Sequence, residues 1–270
     1  MTAVSLTPVE PVYATTGTLD RTAPAAVRLE RVTKVFGSDG QRPPPVLEEI
    51  NLRVEPGEFV CLLGASGCGK STLLNLVAGL EQPTAGTIEV TGGQPALMFQ
   101  EPALFPWLTA GQNIDLALKL RGVGRSDRRS RVEELLGLVH LAGAYNKRPH
   151  QLSGGMRQRV ALARSLAQDG DVLLMDEPFA ALDAITRDVL HDELVRVWRE
   201  TGKSVLFVTH NVREAARLGQ RVVLMSSRPG RFVRQWVVDI KGERRIESRG
   251  VAELAVEITE DLRREIRRHG

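Results

Sequence analysis

Apolar positions along this chain fall into short runs separated by stretches with helical spacing. Phe59 to Leu63, Val172 to Met175 and Val222 to Met225 are of strand length, far below the roughly 18 apolar residues that a membrane span requires. Apolar and β-branched runs predict strands at Val27 to Phe36, Ile50 to Val54, Phe59 to Leu63, Thr87 to Val90, Ala96 to Phe99, Val172 to Met175, Ser204 to Val208, Arg221 to Met225 and Phe232 to Val238. A helix is predicted from Gly69 to Ala78, while Gly37 to Pro45, with its Gly-Ser-Asp-Gly and triple-proline composition, can only be a loop. Thr109 to Gln168 shows no strand pattern and reads as several helices inserted into the core. Strands alternating with helices predict an α/β core with parallel strands.

The two ends read differently from the middle. Residues 1–26 are rich in Thr, Pro and Ala without periodicity and read as a disordered tail. Near the other end Leu254, Ile258, Leu262 and Ile266 recur every four residues, with Glu253, Glu257 and Glu260 early and Arg263, Arg264, Arg267 and Arg268 late. Acid first and base last suits the helix dipole, so an amphipathic helix is predicted, its stripe packed on its own domain or, alternatively, on a partner.

Composition narrows the function classes. With 270 residues and 42% hydrophobic positions, the chain can bury a core without metals or a disulfide framework. The first 20 residues carry no Lys or Arg and no continuous apolar segment, which speaks against a secretory signal and makes reduced thiols of Cys61 and Cys68 the expectation. The net charge is only +3, and 7 Phe, 3 Trp and 2 Tyr leave few aromatics to interleave with base, so direct nucleic-acid binding is not expected.

Three segments carry chemistry. Gly64-Ala65-Ser66-Gly67-Cys68-Gly69-Lys70-Ser71 fits G-x-x-x-x-G-K-[ST] between a predicted strand and a predicted helix. Glycines there let backbone N–H groups wrap a phosphate, Lys70 reaches the β- and γ-phosphates, and the Ser71 hydroxyl suits Mg²⁺. Val172 to Met175 ends in Asp176 and Glu177, the first placed to hold the metal and the second to position or deprotonate an attacking water. Leu152-Ser153-Gly154-Gly155 opens a helical run to about Gln168, with Ser153 at the N-cap and two glycines that weaken a helix start. Those glycines make a second anion site, one too many for a single nucleotide already held by the first loop.

Leu-Ser-Gly-Gly followed by Gln158-Arg159-Val160-Ala161-Leu162-Ala163-Arg164-Ser165-Leu166 resembles the signature motif of ABC-type ATPases. Gln100 matches the family's Q-loop glutamine, Ala181-Leu182-Asp183 its D-loop, His210 its H-loop histidine, and Phe36 the aromatic that stacks on adenine. The resemblance spans about residues 27–240. It implies a P-loop NTPase (RecA-like) α/β core with an antiparallel β subdomain and a helical subdomain inserted at about 101–157, followed by a C-terminal helical extension over 241–270. It also implies ATP with Mg²⁺ and a dimer in which Ser153, Gly154 and Gly155 of one copy face the γ-phosphate on the other's P-loop. Catalytic roles then fall to Glu177, His210, Lys70 and Gln100, and metal contacts to Ser71, Gln100 and Asp176. Nucleotide contacts fall to Phe36 and Gly64, to Ser66 through Thr72, and to Ser153, Gly154, Gly155 and Asp183. The loop through Pro43-Pro44-Pro45 departs from the family pattern beside Phe36.

The segment Pro102-Ala103-Leu104-Phe105-Pro106-Trp107-Leu108-Thr109 is unusually apolar for an exit from a catalytic loop, and reads as a protein contact surface or as a local core. It is similar to the stretch that meets membrane permease subunits in importer ATPases, and with Met225 to Arg231 it resembles the nitrate, sulfonate and taurine importers. That implies a peripheral subunit at the cytoplasmic face of the cell membrane, served indirectly by a solute-binding protein. An exporter ATPase, or a soluble ABC ATPase acting on nucleic acid or ribosomes, is the competing class.

Overall fold

The computed structural model describes residues 24–37, 43–242 and 244–269. The expected tail therefore lies outside the described residues except for 24–26, of which Ala25 and Ala26 are buried and Ala26 N–H donates to the Val54 carbonyl. Most of the Gly37 to Pro45 loop also lies outside them.

Two sheets organise the chain. The smaller is antiparallel, in the order β2 (Leu47–Val54), β1 (Val27–Lys34), β4 (Ala85–Val90). The larger runs β5 (Ala96–Met98), β6 (Val172–Asp176), β7 (Ser204–Thr209), β3 (Phe59–Gly64), β8 (Arg221–Met225), β9 (Phe232–Val237). β3 and β7 are buried at every position, which is why they read as continuous apolar runs and not as alternation: both faces of the sheet are covered. One face packs on α1 (Lys70–Val77) and the small sheet, the other on the helices. β5 to β8 are parallel as expected, but β9 runs antiparallel to β8. The physical reason is reach: the connection through 226–231 is too short for the crossover that a parallel partner requires.

The middle of the chain is helical: α2 (Ala110–Leu120), α3 (Arg125–Leu138), a short 3₁₀ turn at Pro149–Gln151 and α4 (Gly154–Leu166). α4 is continuous across position 157, so the expected subdomain boundary there falls inside a helix. α5 (Ala184–Thr201) and α6 (Val212–Leu218) cover the core sheet, and α7 (Arg249–His269) closes the chain. Ile258 of the expected stripe is buried, Leu254 and Leu262 pack against the core, and Ile266 stays 48% exposed. Glu257 of α7 accepts from the Trp236 indole at 2.9 Å and the Arg234 guanidinium at 2.7 Å, pinning the helix to β9. No helix among the described residues is long and apolar enough to cross a membrane.

Candidate active site

β5, β6, β7 and β3 are consecutive parallel neighbours, so their carboxyl ends lie along one edge of the sheet. Crevices at such edges are where open α/β sheets bind ligands. The segments leaving these four strands carry Gln100, Asp176 with Glu177, His210 and the Gly64 to Ser71 loop.

The loop after β3 depends on backbone that only glycine adopts freely. Gly67 and Gly69 sit at φ 78° and 100°, and a Cβ on Gly69 would also lie 2.7 Å from Leu47 Cδ2. Gly69 caps α1 without a side chain, leaving the helix N–H groups facing the cavity. Lys70 is 5% exposed. Its ammonium donates to the Gly64 and Ala65 carbonyls at 2.9 and 3.0 Å and stands 3.9 Å from Glu177 Oε1.

Glu177 follows β6 at φ 44°, a strained value for a side-chain-bearing residue, and its N–H donates to the Val208 carbonyl of β7 at 3.0 Å. His210 Nδ1 lies 2.6 Å from Glu177 Oε2; a carboxylate only accepts, so Nδ1 carries the proton. Burial pushes the Asp176 carboxyl above its ordinary range; the Ser71 hydroxyl opposes this, the neighbouring Glu177 charge adds to it, and the Lys70 charge opposes it. A desolvated acid of this kind gains from a cation beside it. Raised folded pKa means that ionised Asp176 costs stability at neutral pH, a cost that disappears below the ordinary carboxylate range near pH ~4. Asp176→Asn should accordingly raise the unfolding midpoint of the nucleotide-free chain at pH 7, with the difference closing at low pH, while lowering ATP turnover. A lower midpoint for the variant at pH 7 would contradict this.

Ser66, Gly67, Gly69, Lys70, Ser71 and Thr72, together with Gln100, Asp176, Glu177 and His210, line a cavity of about 550 Å³. That volume lies in the range of small-molecule sites. Gly64 and Cys68 lie beneath the loop and not on its surface: a Cβ on Gly64 would meet Cys68 Sγ at 2.7 Å, and Cys68 is 1% exposed. Burial pushes the Cys68 thiol up, and the Lys70 charge only partly opposes it, so the site does not favour a thiolate. Phe36 is outside the cavity lining, 46% exposed, with the Lys34 ammonium 4.6 Å from its ring centroid.

Ser153, Gly154, Gly155 and Asp183 are also outside this cavity. Ser153 is the N-cap of α4, accepting from Met156 N–H, and Asp183 is the N-cap of α5, accepting from Thr186 N–H and its hydroxyl. A Cβ on Gly154 would lie 3.3 Å from Leu182, and one on Gly155 would lie 2.8 Å from Thr186, so the start of α4 packs on the segment carrying Asp183. Ser153 is exposed and Gly154 half-buried, while Gly155 is buried against α5.

Other residues near the site escaped the sequence reading. Val46 lines the cavity; an apolar residue after a proline run carries no motif. Gln158 of α4 donates to the Gln100 carbonyl at 3.1 Å, and Arg164 donates to the Pro102 and Ala103 carbonyls at 2.8 and 2.7 Å. Asn113, fully buried, binds both the N–H and the carbonyl of Phe105 and the carbonyls of Leu108 and Thr109. The 102–109 segment is thus held rigidly through its backbone while Trp107 is left 67% exposed, its ring 5.5 Å from that of Phe105. Leu104 packs against the core, so local burial accounts for that side chain and not for Trp107.

Comparison with known proteins gives a consistent neighbourhood. The ABC transporter family model matches residues 47–180. The nitrate import ATP-binding protein NrtD of Synechocystis sp. is 47% identical over 207 residues, 73% of this chain and 77% of the relative. The taurine import ATP-binding protein TauB of Burkholderia pseudomallei is 48% identical over 200 residues, 72% and 77% respectively. Among solved structures, a dimeric ATP-binding cassette in a post-hydrolysis state with ADP and Pi superposes with a TM-score of 0.68 at 34% identity, over 79% of this chain and 99% of that one.

Proposed function

This chain belongs to the ABC transporter family of ATP-binding proteins, and from that premise we propose that it energises uptake of a small anionic solute of the nitrate, taurine or aliphatic sulfonate type. It is the ATP-hydrolysing subunit of an importer. The observation that carries the site reading is the convergence of four strand ends on one cavity that Ser153 to Gly155 do not line. Such an arrangement is half of a site that a second copy completes, and related cassettes are dimeric.

Within that reading Glu177 takes the proton of the attacking water, His210 and Lys70 stabilise charge on the γ-phosphate, and Gln100 senses the nucleotide. Phe36 and Val46 flank the adenine side, and Asp183 orders the segment facing the second copy. Ser71, Asp176 and Gln100 offer oxygen donors only, which fits a hard divalent ion, and the desolvated Asp176 supplies the charge. Mg²⁺ held there would neutralise charge developing on the phosphates.

We assign the helical segment of about 101–157 the role of carrying the permease contact at Pro102 to Thr109, and 241–270 that of a bracing extension. The subunit would then sit at the cytoplasmic face of the membrane, two copies on two permease subunits. Copurification from detergent-solubilised membranes, with ATPase assayed in the same fractions, tests this: an integral membrane subunit should accompany the chain, and recovery with nucleic acid or ribosomes instead would sink the transport reading. Trp107→Ala should lower solute uptake by about tenfold, the loss expected of an interfacial anchor, with ATPase of the isolated chain within about twofold of the unsubstituted protein. Equal losses of both would mean that Trp107 supports the segment leaving Gln100 and makes no partner contact.

A further inference from the structure

Behind His210 lies a buried polar network that the hydrolytic roles above leave unused. Glu214, 5% exposed on α6, lies 2.6 Å from His191 Nε2 through one carboxylate oxygen and accepts from the Thr209 hydroxyl through the other. His191, fully buried on α5, has its Nδ1 3.3 Å from Arg217 Nη1, and Arg217 pairs with Asp188 at 3.0 Å and Asp192 at 2.7 Å. Because a guanidinium can only donate, His191 Nδ1 is the acceptor; Nε2 then carries the hydrogen that Glu214 receives. The Thr209 hydroxyl in turn accepts from Asn211 N–H at 2.9 Å, and the Asn211 side chain caps α6 at Arg213 and Glu214 N–H.

Groups of this kind are costly to bury and are seldom the best route to stability. Their placement is informative: they fix the residues immediately before and after His210, whose own ring is 62% exposed and meets Glu177. The main chain must therefore aim the imidazole, because little packing around the ring does. α5 contributes His191 to this network, and its N-cap is Asp183. Arg187 ties the same helix to the Phe179 and Leu182 carbonyls, and the Phe179 ring stands 5.5 Å from that of His191.

We propose that Glu214, held by His191, is a positioning residue for hydrolysis: through Thr209 it fixes the backbone around His210, delivering the imidazole to Glu177 and the reacting phosphate. This rests on the reading of Glu177 and His210 as hydrolytic residues. It concerns only how His210 is aimed, so its effect falls on turnover and not on nucleotide binding.

Steady-state ATPase of the full chain tests it with Thr209→Val, which keeps the β-branched shape and removes the hydroxyl, beside Thr209→Ser, which restores it. Thr209→Val should lower kcat by about tenfold or more with the KM for ATP within about twofold, since small misplacements of a catalytic group cost this much. Thr209→Ser should recover at least about half of the original kcat. Glu214→Gln, which keeps the shape but presents an amide donor toward one of two donors, should behave like Thr209→Val and replaces it should the valine variant fail to fold. His210→Ala separates the two levels. If it is slow while Thr209→Val and Glu214→Gln stay within about twofold of the unsubstituted chain, the positioning role is overturned and the hydrolytic reading stands. If His210→Ala keeps full turnover, the hydrolytic reading falls and takes the positioning role with it. A loss confined to KM, or an equal loss in Thr209→Ser, would also overturn the proposal.

Discussion

Glu177→Gln should leave ATP binding intact and lower turnover by about 10²- to 10⁴-fold, the range expected when a general base is removed. The side chain sits at φ 44° between the ends of β6 and β7, with its N–H on the Val208 carbonyl and Oε2 receiving the His210 imidazole. A glutamine keeps the length, the planar end and an oxygen for His210 to donate to, so neither the strained backbone nor the ring position needs to change. What it loses is the capacity to take a proton from water. The variant also carries one negative charge fewer near Lys70, which stands 3.9 Å from Glu177 Oε1, so affinity for an anionic nucleotide should hold or rise. With ATP present, the variant should run as a stable dimer in size-exclusion chromatography, because the step that reopens it is blocked. Turnover within about tenfold of the original chain would remove Glu177 from the mechanism.

How much of this was legible in the sequence depends on the distance over which each feature is encoded. The P-loop is a contiguous octapeptide whose glycines, lysine and serine each have a local duty, and its strand and helix lie directly beside it. The acids at Asp176 and Glu177 were legible for the same reason, since an apolar strand ending in two carboxylates is a local oddity. The apolar pattern starts β2 at Ile50 because Glu48 and Glu49 interrupt it; the strand begins at Leu47, paired with Lys34, and the two acids fall in an irregularity of the ladder before the Val32–Ile50 pair. The direction of β9 could have been argued from the short connection before it, but the surrounding parallel pattern masked the point.

Contacts between a side chain and distant backbone left no trace in periodicity. Asn113 reads as an ordinary helical polar residue, and only the fold shows that it holds Phe105 and Leu108. Gln158 and Arg164, within the signature helix, reach carbonyls near Gln100 some sixty residues earlier. Glu214 and His191 are separated by 23 positions and belong to two helices that each look merely amphipathic. Phe36 and Ser153 illustrate the opposite limit: their family match is evident from sequence, but neither lines the cavity of the chain by itself.

Lys70→Ala should act at the step before Glu177→Gln, weakening ATP binding by about 10²- to 10³-fold. The ammonium is nearly buried, anchored on the Gly64 and Ala65 carbonyls, and is the positive group nearest to Glu177 and Asp176 within the cavity. Its removal leaves a triphosphate to approach two carboxylates with no compensating charge. At an effective dielectric near 20, one unit charge about 4 Å away is worth about 4 kcal/mol before solvent relaxation, which brackets the expected loss. The N–H groups of the loop and of α1 remain, so residual binding should persist at high nucleotide concentration. Fold stability without nucleotide should fall by less, about 1 to 3 kcal/mol, because the buried Gly64 carbonyl loses its donor while Ala65 is only half-buried. Titration with a fluorescent ATP analogue, read beside the thermal midpoint, distinguishes the two effects. An affinity within about tenfold of the original chain would show that the loop N–H groups alone carry the phosphate, and that the ammonium serves the P-loop's shape instead.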